Sequence, residues 1–285
     1  MPKTYNELYI DLRRRLKEAG VEACTLEAGL LTAAAAGKTQ ARLLADLRLY
    51  TSPEIETRLE EMAQRRLAGE PAAYITGCWS FCGLELEVDE HVLIPRGDTE
   101  VLVETALNLS GKSDSELRIL DLCTGSGCIG CALAHFLPRS HVVLADVSAA
   151  ALRVAKNNVQ RCALGARAVA VGADALAGAP ERLGSFDLIV CNPPYIPTAE
   201  LAGLDASVRD YEPHMALDGG EDGLKFYRAV LGGWKGLLRQ SGWLLFEVGE
   251  TQADDVEKLM RLAGMRSLGR AQDSGGYDRV VYGRN

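Results

Sequence analysis

No stretch of the 285 residues approaches the roughly 20 consecutive apolar positions of a membrane span. The opening segment, MPKTYNELYIDLRRRL, carries acids and no apolar core, so it does not read as a secretory signal. Positive charge is also short. The formal net charge is −8, and residues 1–100 hold 12 Lys and Arg against 17 Asp and Glu. Neither part of the chain is a basic module, so composition gives no general support for a nucleic-acid surface. Cys128-x-x-Cys131 has no second pair of ligands, so no metal is expected. The eight scattered cysteines fit reduced thiols of a cytoplasmic protein, not a disulfide framework. No His or Tyr–Lys pair suited to hydride transfer stands out.

What is present is ordinary globular composition, 47% hydrophobic and 25% charged, enough to bury a sizeable core. Tyr5, Leu8, Tyr9, Leu12 and Leu16 have helical spacing, and Gly20 closes that helix. Residues 25–36 read as a second helix with Thr25 as cap and Gly37 as stop, and residues 39–47 as a short third. Ser52-Pro53-Glu54 opens a fourth that ends at Gly69. The character then changes. Residues 74–88, with Gly83 between two β-favouring runs, predict a β-hairpin. Asp98 or Thr99 caps a helix from about Glu100 to Leu109.

From Leu117 onward strands and helices alternate. Strands are expected at 118–122, 141–146, 168–171, 186–191, 243–248, 266–271 and 277–282. Helices are expected at 128–137, 148–162, 222–239 and 251–263. Such alternation of seven candidate strands with helices predicts an α/β fold, a doubly wound parallel sheet.

Gly125-x-Gly127-x-x-Gly130, between a strand and a helix, fits a dinucleotide fingerprint, although the match alone is weak. The turn brings backbone close to a ligand at a helix N-terminus, which suits a pyrophosphate or an amino-acid carboxylate. Asp121, four residues before the first glycine, would repel a pyrophosphate but suit a cationic amino group. Asp146 is placed to accept ribose hydroxyls, and Asp174 to accept from an adenine amino group. Three acids at three successive strand ends suit S-adenosylmethionine.

Asn192-Pro193-Pro194-Tyr195 follows the apolar run Phe186–Cys191. Neither proline can donate to a sheet, so the strand stops there and Asn192 sits on a stiff loop. An Asn oxygen and a proline carbonyl can each accept one N–H of a planar NH2 group. That holds its nitrogen in line with a methyl donor and stabilises the charge that develops. Tyr195 offers an aromatic face. This clamp by itself leaves a nucleobase amine and a glutamine amide open.

Asn-Pro-Pro-Tyr resembles the loop of methyltransferases acting on planar nitrogens. The flanking segments narrow the resemblance. Gly69-Glu70-Pro71-x-x-Tyr74-Ile75-x-Gly77, Val92-Leu93-Ile94-Pro95-Arg96-x-Asp98-Thr99-Glu100, Ile119 to Gly127 and Glu212-Pro213 with Ala216-Leu217-x-Gly219-Gly220-x-Asp222-Gly223-Leu224 are similar to the peptide chain release factor N(5)-glutamine methyltransferases.

The resemblance implies methyl transfer to the glutamine of the Gly-Gly-Gln motif of release factors 1 and 2. It implies a helical bundle at 1–72 that docks the release factor, a hairpin linker at 73–97, and a Rossmann-like seven-stranded methyltransferase domain at 98–285 whose last strand is antiparallel. No membrane or direct nucleic-acid partner is implied. Cys123, Thr124, Gly125, Ser126, Gly127, Asp146 and Val147 match the cofactor side, with Asp121, Asp174, Ala175 and Asn192. Asn192, Pro193, Pro194 and Tyr195 match the catalytic and substrate loop, with Arg96 and Glu212 as further substrate candidates. Two positions depart from the family. Gly97 replaces the usual proline and should loosen its loop, and Ala175 replaces an aromatic found against adenine in some relatives. A DNA or RNA exocyclic-amine methyltransferase is the alternative reading, and an NAD-dependent oxidoreductase a more distant one.

Overall fold

The computed structural model describes residues 2–111 and 116–285. In chain order the elements are α1 (Tyr5–Glu18), α2 (Cys24–Ala35), α3 (Gln40–Asp46), α4 (Pro53–Leu67), α5 (Ala72–Thr76), β1 (Cys78–Phe81), β2 (Leu84–Glu87), α6 (Glu100–Ser110), β3 (Arg118–Leu122) and α7 (Cys128–Phe136). There follow β4 (His141–Asp146), α8 (Ala149–Arg161), β5 (Ala168–Gly172), β6 (Phe186–Cys191), α9 (Ala206–Arg209), α10 (Lys225–Gly233), β7 (Leu238–Glu247), α11 (Ala253–Leu262), β8 (Arg266–Gln272) and β9 (Asp278–Arg284).

The chain divides into two compact units, Met1–Cys78 with Ala206–Tyr211, and Trp79–Asp205 with Glu212–Asn285. The first carries α1 to α5 and α9. Thr4 and Glu7 form a reciprocal capping box on α1, which buries Tyr5, Leu8, Leu12 and Leu16. These leucines meet Ala28, Leu31, Leu59 and Ile75 in one cluster, where each fully buried leucine contributes about 1.5–3 kcal/mol. Tyr211, far along the chain, returns to donate its hydroxyl to the Ala68 carbonyl at 3.0 Å.

Two expectations fail in this unit. Thr25 lies inside α2, whose cap position is Ala23 with no side-chain bond. The preceding turn closes through backbone instead, Cys24 N–H to the Val21 carbonyl. Residues 74–76, read as the start of the hairpin, belong instead to helix α5, because Pro71 starts a turn and Gly77, at φ 68°, ends it. Ala72 to Ile75 are all buried. An alternating strand would have turned half of them outward.

The second unit is a seven-stranded sheet of order β5-β4-β3-β6-β7-β9-β8. β3 to β7 pair in parallel, and β9 runs antiparallel to both β7 and β8. Strand alternation makes two cores. Leu120, Leu122, Ile189 and Phe246 pack with Tyr227 and Trp234, while Ile119, Leu188, Val190 and Leu245 pack with Leu102 and Leu133. β7 starts earlier than expected. Trp234 terminates α10 after Gly232-Gly233, and buried Leu238 already pairs with Phe186. Among the described residues no helix is long and apolar enough to cross a membrane.

The segment joining the β1–β2 hairpin to α6 is well held. Trp79 donates its indole N–H to the Pro95 carbonyl at 3.0 Å, and Gly97–Thr99 form one 3-10 turn. Arg96 sits at φ −92°, ψ 149°, the extended conformation that a following proline demands. A Cβ on Gly97 would meet nothing within 4 Å. Gly97→Pro should therefore raise stability, by about 0.5–1 kcal/mol through the unfolded chain, read as a higher midpoint in chemical denaturation. A lower midpoint would show that the glycine is required.

Candidate active site

The strand order reverses between β3 and β6, because β4 and β5 lie to one side and β7 to the other. In an open α/β sheet the crevice above such a switch is the natural ligand site. Leu122 pairs with Cys191, so Cys123 and Asn192 leave the sheet side by side. A cavity of about 400 Å³ opens above them.

The turn after β3 is shaped by an internal acid. Asp121 is fully buried. Its Oδ2 accepts from the Thr124 hydroxyl at 2.5 Å and from the Gly130 N–H in the first turn of α7 at 2.9 Å. Its Oδ1 has no partner among the described residues. Burial pushes this carboxyl up to about 7, against the pull of those two donors. A Cβ on Gly130 would lie 2.9 Å from Asp121 Oδ2 and 2.8 Å from Leu144, which explains the third glycine of the motif.

The N–H groups of Thr124, Gly125 and Gly127 also donate internally, to the Ala145 carbonyl, Asp146 Oδ2 and the Thr124 carbonyl. The start of α7 thus already holds a carboxylate of the protein, and a ligand pyrophosphate would meet a like charge there. Asp121 was expected to face a ligand amino group. It lies behind the cavity wall instead, because its oxygen is committed to closing the turn.

Cys123 lines the cavity in left-handed backbone, φ 60°, a strain of order 1–2 kcal/mol that the flanking strand and turn must impose. Thr124, Gly125 and Ser126 continue the wall. Asp146 lines it from the end of β4. Its two oxygens accept from Gly125 N–H and Ser148 N–H, both at 2.9 Å, leaving lone pairs on each oxygen for further donors. Burial raises its pKa, and these backbone donors oppose that rise.

Asp174 stands exposed at the far end, accepting from Leu176 N–H. The carbonyl of buried Ala175 is taken by Trp234 Nε1 at 3.1 Å. Three conspicuously exposed apolar side chains, Val147, Leu176 and Met215, line this same cavity, with Phe226. Sequence reading found only Val147 among these four. Apolar side chains and a carboxylate with free lone pairs in one cavity fit the base and ribose of a nucleoside. The donor set therefore fits S-adenosylmethionine.

Asn192 and Pro194 also line the cavity, while Pro193 is buried and does not. The Asn192 side-chain NH2 donates to the Thr99 hydroxyl at 3.4 Å. Thr99 occupies the cap position of α6 but makes no cap hydrogen bond, contrary to expectation, because its hydroxyl faces the site. Tyr195 does not line the cavity. Its carbonyl accepts from Gln252 Nε2 at 2.9 Å, and Gln252 in turn accepts from Gly249 N–H. Burial pushes the Tyr195 hydroxyl up to about 12.

Arg96 and Glu212 also lie off the wall. They pair with each other at 2.5 Å, and Glu212 also accepts from Ile94 N–H. Burial raises the Glu212 pKa and Arg96 opposes it. The pair straps the 92–96 segment in place. Buried Asn158, not anticipated from sequence, bridges Glu87 and the Ser126 carbonyl and so fixes the glycine turn to β2.

Residues 7–77 match the PrmC N-terminal domain family, and residues 97–204 the methyltransferase small domain family. The solved hMettl16 catalytic domain in complex with MAT2A 3'UTR hairpin 6 shares the fold at TM-score 0.59, covering 82% of each chain at 17% identity. The second unit is thus a methyltransferase domain. The release factor glutamine methyltransferase of Moorella thermoacetica is 46% identical over 88% of this chain and 87% of its own. That of Geobacter sulfurreducens is 42% identical over 95% and 93%. The chain belongs to the release factor glutamine methyltransferase family.

The Gly219–Gly223 segment gains a physical reason here. A Cβ on Gly219 would stand 2.7 Å from the Tyr195 backbone, whereas one on Gly165 would meet nothing within 4 Å. Gly219→Ala should cost about 1–3 kcal/mol through overpacking, with Gly165→Ala near neutral in the same denaturation measurement. Equal midpoints would mean that the Tyr195 loop gives way freely.

Proposed function

We propose that this chain transfers a methyl group from S-adenosylmethionine to the side-chain amide nitrogen of the glutamine in the Gly-Gly-Gln motif of release factors 1 and 2, in the cytoplasm. One observation carries the chemistry: Asn192 and Pro194, on a loop stiffened by two prolines, line one cavity together with Asp146 and the glycine turn. The family membership and the net charge of −8 support glutamine over a nucleobase. The likeness to an RNA-bound domain at 17% identity concerns the fold.

The residues divide the work. S-adenosylmethionine, when bound, supplies an electrophilic methyl on a sulfonium. Asp146 accepts the ribose hydroxyls, and Val147, Leu176, Met215 and Phe226 enclose the base. Cys123 to Gly127 shape the wall beside Asn192, and Asp121 keeps that turn closed from behind. Asn192 Oδ1 and the Pro193 carbonyl each accept one hydrogen of the substrate amide. An amide nitrogen is a poor nucleophile because its lone pair is delocalised. Fixing both hydrogens aims that lone pair and favours the cationic nitrogen as the bond forms. Tyr195 backs the loop through its anchored carbonyl. No general base has to act before the transfer, since the nitrogen becomes acidic afterwards. The helical unit docks the release factor.

Labelled S-adenosylmethionine offered with purified release factor, tRNA, rRNA and DNA tests the reading. Label should appear on the release-factor glutamine, and label on nucleic acid alone overturns it. Asn192→Ala should lower turnover at least ~10²-fold, the scale of losing one transition-state contact, with cofactor affinity kept. Asp146→Ala should chiefly weaken cofactor affinity, measured by calorimetry.

A further inference from the structure

One buried acid is left without a role by this division of work. Glu247, the last residue of β7, is 2% exposed and is not among the residues lining the cavity. Its Oε2 has no hydrogen-bond partner among the described residues. Carrying such a group costs several kcal/mol unless neighbours satisfy it. The neighbours are telling. Asn192 donates its side-chain NH2 to the Thr99 hydroxyl at 3.4 Å, and both side chains favour the charged form of the Glu247 carboxyl. Phe246, one residue earlier, pairs with Cys191 in the parallel ladder, so the ends of β7 and β6 deliver Glu247 and Asn192 to the same place.

We infer that Glu247 is a positioning residue that, with Thr99, draws the NH2 end of the Asn192 amide inward and so leaves its carbonyl oxygen for the substrate. An asparagine amide is nearly symmetric in shape, and its two ends differ only in hydrogen bonding. Reversed, it would present a donor to the substrate NH2 and lose the acceptor that the clamp needs. An ionised carboxylate accepts only, so it enforces one orientation. A protonated one can donate and removes that constraint.

Burial pushes the Glu247 carboxyl up to about 7, against Thr99, Arg279 and Asn192, while Asp98 adds to the rise. Tyr195, Tyr227 and Cys128 also sense its charge. The linkage signs separate role from bulk stability. Because the folded pKa is raised, ionising Glu247 lowers stability as pH rises from about 4 to about 7. Turnover should move the opposite way and fall as pH drops through about 7.

This inference rests on the proposed reaction. Wild-type protein that fails to label release factor overturns that reaction, whereas the comparison of variants judges Glu247 alone. Glu247→Gln keeps an acceptor oxygen without a titrating proton. Its NH2 end can also donate, as the protonated acid can, so the variant should turn over about 10-fold below wild type at pH 8 and lose the fall in turnover near pH 7. Glu247→Leu should lower kcat about 10- to 100-fold, the cost of a misaligned contact, with the KM for S-adenosylmethionine unchanged.

In the wild-type protein, the side-chain amide resonances of Asn192 should titrate near pH 7 in nitrogen–proton NMR spectra and stop doing so in Glu247→Gln. Amide resonances indifferent to pH, or a Glu247→Gln profile identical to wild type, would overturn the inference even if Glu247→Leu fails to fold.

Discussion

The pairing of Leu122 with Cys191 in the parallel ladder between β3 and β6 is the constraint on which the site depends. It sets a glycine turn and an asparagine loop side by side at the one place where the sheet changes direction. Each is short and stiff, and neither has room to move toward the other. The distance between a donor held by one and an acceptor held by the other is therefore fixed by backbone hydrogen bonds, not by side-chain flexibility. Phe246 pairing with Cys191 extends the same register to β7 and brings Glu247 under the loop. Three strand ends thus meet at one point, and the two cores on either face of the sheet keep them there.

Buried carboxylates then set what each of these ends presents. Asp121 takes the N–H of Gly130 and the hydroxyl of Thr124, so the start of α7 is closed from inside. A helix start of this kind normally attracts an anionic ligand. Here the protein supplies the anion itself. The turn becomes a neutral-to-negative wall suited to a cationic nucleoside, and the dinucleotide reading of Gly125-x-Gly127-x-x-Gly130 loses its physical basis. The same loop sequence can serve either chemistry, and the acid four residues upstream decides between them.

Much of this was legible in the residues because it is local. An apolar run stopped by two prolines located β6 to the residue, and Ser52-Pro53 located α4. The acids at 121, 146 and 174 mark strand ends whatever the fold around them. The residues that escaped are those whose meaning is long-range. Gln252 holds the Tyr195 carbonyl from 57 positions away, and Asn158 joins Glu87 to Ser126 across 71 and 32. Glu247 is one acid at the end of a buried strand, and nothing beside it in the sequence signals that Asn192 will be its neighbour. Local propensity also misled where burial overrode it. Ala72 to Ile75 favour a strand by composition at Tyr74 and Ile75, yet fold as a helix because all four are buried together. Thr99 reads as a helix cap until its hydroxyl is seen facing Asn192.

On the proposed reaction, Glu247 also explains why residue 192 is an asparagine. An aspartate would be a stronger acceptor for the hydrogens of an amide acquiring positive charge. Set against Glu247, though, it would be a second carboxylate in a nearly dry pocket, and one of the pair would have to take up a proton. It would also bring no donor to Thr99 or to Glu247. An alanine would leave both of those groups unsatisfied. Asparagine alone combines a donor for the interior with an acceptor for the cavity in a flat group of fixed length. The loop's two prolines hold the backbone, the carboxylate beneath holds the amide, and the cavity receives an oxygen whose position is set before any ligand arrives.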